Sequence, residues 1–264
     1  MMKEEFIMAS NEIIKKMILK NNDLFKSLDL EVVPVFSDEK NPTCNMSGIT
    51  NDEAVYIHSQ CTEYYDEPIF AFRNWSKISS ILGMFSDTMD IKIDTEHNDE
   101  INKDCPSVIH FKSPVVKIKH YLQSYKFYKA QEENNVMYKK KKFTLARLNK
   151  SNIEIDKDSV KQISRAVSIL DDKQFKLKIE ENEVYVVIGD ESKSVDTIKV
   201  KLGETSLNDF ELSNPISFDY FNAIYKSFEK MSGNTFIQIF KDKIIFTNID
   251  DNCSVTAILR AKNN

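Results

Sequence analysis

The sequence is poor in glycine and proline, and its few glycines are far apart. The 264 residues include 5 glycines and 6 prolines. A loop that binds phosphate needs several glycines within a few residues, because backbone N–H groups must approach the phosphate closely. No two glycines of this chain are near enough to form one. The sequence therefore predicts no nucleotide site of this kind and no bound cofactor.

Cysteine is also scarce, and its spacing fits no metal site. The four cysteines form no Cys-x-x-Cys pair, and none lies at ligand spacing from a histidine. We expect four free thiols in a reducing compartment and no bound metal. They are Cys44, Cys61, Cys105 and Cys253.

Long apolar runs are absent as well. Nowhere do 18 apolar residues follow one another, and Met1 to Glu5 are not followed by the apolar core of a signal peptide. These two absences predict a soluble protein of the cytoplasm.

Arrangements that could support catalysis are missing too. His58, His97, His110 and His120 do not combine with the many carboxylates into the spacing of a metal site, a nucleophile elbow or a paired-acid motif. Lone histidines in strands usually have structural roles. We therefore expect that the protein is not an enzyme.

The chain has a small excess of acidic charge, with a formal net charge of −5. A protein of this charge has no overall attraction for nucleic acid. Any basic surface must therefore be local.

Residues 156–170 are the clearest local element, and their pattern predicts an amphipathic helix. The apolar positions recur at helical spacing, and basic residues recur every four positions on the opposite side. The apolar residues are Val160, Ile163, Val167 and Leu170, and the basic ones are Lys157, Lys161 and Arg165.

Residues 217–231 repeat this pattern. The polar row is Asn222, Lys226 and Lys230, with Glu229 beside it, and the apolar arc is Phe218, Phe221, Ile224, Tyr225 and Phe228. A single basic row is usually only a solvated helix face. A second copy favours a repeated functional surface.

The order of predicted elements is helix, strands, helix, strands, and it occurs twice, in residues 10–120 and 150–264. This order predicts an α+β fold of two similar domains, each with two helices on an antiparallel sheet. We place the domains at 1–120 and 143–264, joined by a linker at 121–142. The apolar stripes of both helices in a domain need the same sheet, so their polar faces should share one surface.

The duplicated order and the basic helix faces resemble the sliding clamps, the processivity factors of DNA polymerases. The likeness is greatest to the clamps of T4-like bacteriophages. Two segments carry it, Ile153 to Asp190 and Ile69 to Phe111. The resemblance implies a homotrimeric ring around duplex DNA, loaded by an ATP-driven clamp loader in the cytoplasm of the host cell, which tethers the polymerase and other partners. Twelve helices spaced about 8–10 Å apart leave a hole of about 20–28 Å, which admits a B-form duplex, whereas eight helices leave only about 10–15 Å.

The resemblance also assigns roles to residues. The DNA-facing set is Lys157, Lys161, Arg165, Lys226, Lys230, Arg73, Lys77, Lys15, Lys16 and Lys20. The subunit interface is expected where strand 107–116 of one protomer pairs with strand 196–202 of the next, through Ser107, Ile109, Phe111, Val116, Ile198, Val200 and Leu202. The partner-binding residues are Tyr125, Phe127, Tyr128, Ala257, Ile258 and Leu259.

Two alternatives stay open. The chain could be a non-catalytic viral structural or scaffolding protein with the same duplicated architecture, in which the lysines are merely solvated. The aromatic residues at 125–128 could equally pin the linker to the second domain, because aromatic anchors serve both purposes.

Overall fold

A computed structural model describes residues 2–38, 43–62, 69–85, 89–99, 103–123, 153, 155, 157–189, 196–206, 210–211, 214–240 and 243–261. The chain divides into two compact units. Unit 1 comprises Met1–Thr50, Ile57–Thr144 and Asp250–Val255, and unit 2 comprises Asn51–Tyr56, Leu145–Ile249 and Thr256–Asn264. Of the predicted linker at 121–142, only residues 121–123 are described.

The described residues of unit 1 form two helices and strands of two antiparallel sheets. The elements, in chain order, are α1 (Met2–Ser27), β1 (Val32–Asp38), β2 (Thr43–Ile49), β3 (Val55–Thr62), β4 (Ile69–Arg73), α2 (Trp75–Leu82), β5 (Asp90–Asn98), β6 (Lys103–Lys112) and β7 (Lys117–Tyr121). One sheet has the order β3-β2-β1-β4 and the other β5-β6-β7. Helix α1 packs on α2, β2 and β5.

Unit 2 repeats this plan. Its elements are α3 (Lys157–Leu170), β8 (Gln174–Glu180), β9 (Glu183–Ile188), β10 (Ile198–Glu204), β11 (Phe210–Glu211), β12 (Ile216–Ser217), α4 (Phe218–Lys230), β13 (Asn234–Phe240), β14 (Lys243–Asp250) and β15 (Cys253–Arg260). One sheet has the order β10-β9-β8-β11, with β12 also on β8, and β13, β14 and β15 are consecutive neighbours in another. Among the described residues, no helix has both the length and the apolar content that crossing a membrane requires.

The core of unit 1 is aromatic around the start of α2. Trp75 packs edge-on against Phe25 and Phe72, with ring centroids 4.9 and 5.4 Å apart. Asn74 is the N-cap of α2, and its side chain accepts a hydrogen bond from the Lys77 backbone N–H at 3.1 Å. This bond satisfies one of the free donors of the first turn.

Pro106 lies within strand β6. Strand β5 continues to Asn98, and strand β6 begins at Lys103. Their register shifts between Asp94 and Thr95, where Pro106 lies opposite Thr95. A bulge is one of the few places where a strand tolerates proline.

Cys61 and Cys253 form a disulfide, so the prediction of four free thiols is wrong for this pair. Strand β15 is the neighbour of β3, and Thr62 N donates to Asn252 O at 2.9 Å. The adjacent positions 61 and 253 therefore face each other, with their Cα atoms 4.2 Å apart. Cys44 and Cys105 take no part in this disulfide, and burial raises the pKa of the Cys44 thiol to about 12.

Candidate nucleic-acid interface

Helix α3 has the amphipathic pattern that its sequence predicts. Val160, Ile163 and Val167 are buried, and the helix packs on β9 and β10. Lys161 and Arg165 are exposed on the other side. The helix therefore turns a basic side away from the sheet.

Lys161 has an acidic neighbour on this side. Its Nζ is 2.8 Å from Asp158 Oδ1, and the two side chains are 69% and 77% exposed. The hydrogen bond from Lys161 holds the pKa of Asp158 below its usual range. An exposed pair of this kind contributes little stability, so a phosphate could replace Asp158 at small cost. The side chain of Lys157 lies outside the described part of the chain.

Helix α4 repeats this arrangement. Ser217 caps it by accepting from the Tyr220 backbone N–H, and Phe218, Phe221, Ile224 and Phe228 are buried. Lys226 and Lys230 are exposed.

Both helices cover the same face of the sheet in unit 2. The ring of Phe221 in α4 lies 5.4 Å from that of Phe175 in β8. Phe175 is paired with Ile188, and the apolar side chains of β8 and β9 alternate onto one face. Because α3 packs on the neighbouring β9 and β10, the basic sides of α3 and α4 point away from this sheet in the same sense.

The basic residues of unit 1 differ from one another in their exposure. Arg73, Lys77 and Lys16 are exposed. The Lys15 side chain is 22% exposed and lies 3.6 Å from Glu12 and 4.0 Å from Asp90.

The charged group of Lys20 is not exposed at the surface. Its side chain is 7% exposed, and Nζ lies 3.4 Å from Asp250 Oδ2. Burial lowers the pKa of Lys20, against the opposing influence of Asp250. The adjacent Asn21 is buried and donates to Ser59 Oγ, so this side of α1 packs into unit 1. We leave Lys20 out of the proposed DNA-facing set.

No protein-family model matches the sequence, and no curated protein matches it significantly. Solved structures do match it, and three of them are proteins named PCNA or proliferating cellular nuclear antigen. The PCNA in "C-terminal region of FEN-1 bound to A. fulgidus PCNA" has a TM-score of 0.62 at 15% identity, over 94% of this chain and 96% of that chain. The proliferating cellular nuclear antigen of Entamoeba histolytica matches with a TM-score of 0.61 at 12% sequence identity, over 93% of this chain and 95% of that chain. The PCNA of Thermococcus kodakaraensis matches with a TM-score of 0.61 at 10% sequence identity, over 92% of this chain and 96% of that chain.

The chain has the PCNA fold. The match extends over both units, because at least 92% of the chain is covered in each comparison. The predicted fold class, α+β with two clamp-like domains of helices on antiparallel sheets, is confirmed.

Within this PCNA fold, the predicted interface strand 107–116 is not a sheet edge. It falls on β6, which pairs with β5 on one side and with β7 on the other. Residues 107–116 end in a turn, in which Ser113 N donates to Val116 O at 2.8 Å. Ile109 and Phe111 are fully buried, and Ser107 is half-buried. The expectation of an edge strand here is wrong, because the segment after Pro114 returns to cover β6.

Strands β7 and β10 each lie at one edge of their sheets. Strand β7 has β6 as its neighbour, and β10 has β9. Ile198 and Val200 of β10 are half-buried, and Leu202 is buried.

Of the predicted partner-binding residues, the structure describes only Ala257, Ile258 and Leu259. Tyr125, Phe127 and Tyr128 lie outside the described residues. Ala257, Ile258 and Leu259 are buried, and β15 has β14 and β3 as neighbours. Because neither these side chains nor a strand edge is available to a guest peptide, we leave 257–259 out of the proposed partner site.

Proposed function

We propose that this protein is a sliding clamp, a non-catalytic processivity factor that closes as a homotrimer around duplex DNA. The PCNA fold, with exposed basic residues on the outward sides of its helices, is the observation that supports the proposal most strongly. The proposed DNA-facing residues are Lys157, Lys161, Arg165, Lys226, Lys230, Arg73, Lys77, Lys15 and Lys16. Diffuse contacts of lysine and arginine with phosphates carry no sequence information, so they permit sliding.

The proposal includes the protein's partners. DNA polymerase and an ATP-driven clamp loader are the expected ones, and a PCNA of the same fold has been solved with the C-terminal region of FEN-1. We propose that partner peptides with apolar anchors bind near Tyr125, Phe127 and Tyr128, at about micromolar strength. We also propose a T4-like bacteriophage origin, with action in the host cytoplasm, on the sequence pattern alone.

Topology separates a clamp from a scaffolding protein. After loading by a clamp loader, the protein should remain on a closed circular duplex through a high-salt wash and leave when the circle is cut once. Salt removes ordinary phosphate contacts but not a topological link. Gel filtration of the DNA-bound fraction measures this. Equal retention on circular and linear DNA would contradict the clamp function.

We propose that protomers join through β7 of one and β10 of the next. Ser113 N donates to Val116 O and Leu122 N donates to Ser107 O. In an antiparallel ladder the hydrogen-bonded pairs alternate. The N–H groups of Ile118 and His120 therefore point to β6, and those of Lys117, Lys119 and Tyr121 point outward, where another strand can accept them.

A proline at position 119 tests this joint. Lys119→Pro should remove one outward donor without breaking the β6 ladder, and it should weaken trimer formation about tenfold or more. Sedimentation velocity over a concentration series measures the effect. Lys119→Ala, which keeps the N–H, is the matched control and should assemble nearly as the unaltered chain does. Equal assembly of the proline variant would place the joint elsewhere.

A further inference from the structure

The two proposed joint strands each carry a row of lysines on one face. In β7, Lys117, Lys119 and Tyr121 are exposed and alternate with Ile118 and the buried His120. Lys119 Nζ lies 4.7 Å from the centroid of the Tyr121 ring, as expected for side chains on the same face.

Strand β10 has the same alternation. Lys199 and Lys201 are exposed, and Ile198 and Val200 between them are half-buried. Lys199 Nζ lies 3.9 Å from the centroid of the Tyr185 ring on β9.

In both sheets the lysine row lies on the side away from the helices. Ile118 is paired with the fully buried Phe111, and Val200 is paired with the fully buried Val186. The apolar rows therefore share the packed face of each sheet, and the lysine rows share the other face. A continuous sheet formed by β7 and β10 of two protomers would bring both lysine rows together on its outer face.

The carboxylates near these rows are already engaged. Lys199 pairs with Glu180, and Lys201 pairs with Glu183 and, at 3.1 Å, with Glu204. For Lys117 and Lys119 the structure gives no carboxylate within 4.0 Å among the described residues. Joining the strands therefore adds two lysines to a face whose acidic groups have partners. Like charges on neighbouring strands are destabilising.

We propose that this lysine seam (Lys117, Lys119, Lys199 and Lys201) opposes closure of each protomer joint, so that anions in solution tighten the ring. The inference rests on the proposed homotrimer and its β7–β10 joint. Screening weakens repulsion between exposed charges, so added salt strengthens association. An interface of complementary charges responds in the opposite way.

The test measures trimer association of the full chain, without DNA, from about 20 to about 200 mM NaCl, a range in which the Debye length shortens about threefold. Sedimentation equilibrium should show the dissociation midpoint falling by about three- to tenfold as salt rises. In Lys117→Glu/Lys119→Glu the seam becomes complementary, so this variant should associate more tightly at low salt and weaken as salt rises.

Three further variants complete the design. In Lys117→Gln/Lys119→Gln, trimer association should change little with salt concentration. Adding Lys199→Glu and Lys201→Glu to Lys117→Glu/Lys119→Glu makes the seam acidic on both strands. In this quadruple variant, trimer association should again become tighter as salt rises. Lys26→Glu/Lys173→Glu makes the same change in net charge at exposed positions off the seam, and it should keep the response of the unaltered chain.

The outcomes separate the two claims. If no trimer forms at any salt concentration, the proposed homotrimer fails and the inference fails with it. If the unaltered trimer forms but loosens as salt rises, or if reversal at 117 and 119 leaves the response unchanged, the clamp stands and the lysine seam is overturned. Thermal unfolding of each variant shows whether it is folded before its assembly is compared.

Discussion

Reduction of the Cys61–Cys253 disulfide is expected to lower the free energy of unfolding by about 5 kcal/mol. The bridge joins residues 192 positions apart. In the chain-entropy description, a cross-link that closes so long a loop restricts the unfolded chain strongly, which gives about 5 kcal/mol. Urea unfolding with and without reductant measures this difference. The variant Cys61→Ser/Cys253→Ser should unfold as the reduced protein does, and reductant should not change it further.

A cysteine outside the disulfide supplies the control for this experiment. Cys105→Ser removes a half-buried thiol without a disulfide, so the variant should keep the full response to reductant. Alkylation in denaturant, before and after reduction, counts the thiols directly. Equal unfolding midpoints with and without reductant in the unaltered chain would show that the bridge does not stabilise the protein in solution.

Among the proposed changes, charge reversal on α3 is expected to weaken the interaction with DNA most. Lys161→Glu/Arg165→Glu should reduce processive synthesis by about tenfold or more at physiological salt. Each phosphate contact contributes about 0.9 to the slope of log affinity against log salt, so losing six contacts in a trimer lowers the slope by up to about 5. The equilibrium affinity of the trimer for a linear duplex, measured at several salt concentrations, gives this slope.

Asp158 makes a second variant necessary. A glutamate at position 161 would lie one turn from Asp158, and the like-charged pair would weaken the helix slightly. Lys161→Gln/Arg165→Gln removes the positive charges without that repulsion, and it should show a smaller loss in the same direction. Lys26→Glu/Lys173→Glu is the matched control for net charge. Full processivity in both α3 variants would remove this helix from the DNA-facing surface.

The helices could be predicted from sequence because their signals are local. Val160, Ile163 and Val167 recur within two turns, and their burial follows from that spacing. The same holds for Phe221, Ile224 and Phe228 in α4. Such patterns do not depend on which sheet the helix meets.

The errors concern contacts between distant parts of the sequence. The alternation in 107–116 is equally compatible with an edge strand and a central one, and only the return of β7 after Pro114 decides between them. Lys20 lies in a lysine-rich helix, but its partner Asp250 is 230 positions away. The pairing of Cys61 with Cys253 likewise depends on β15 meeting β3. None of these contacts leaves a periodic signal.

The pairing of β15 with β3 also determines when the protein can finish folding during synthesis. Strand β3 leaves the ribosome long before Cys253, and a separation of 192 residues takes about 10–40 s to translate at about 5–20 residues per second. Throughout this interval the nascent chain carries β3 with one edge unpaired, although Val55 and Ile57 are fully buried in the finished fold. Exposed apolar edges of this kind recruit other strands. Unit 1 is therefore most prone to aggregation and to chaperone binding while the second half of the chain is still being synthesised.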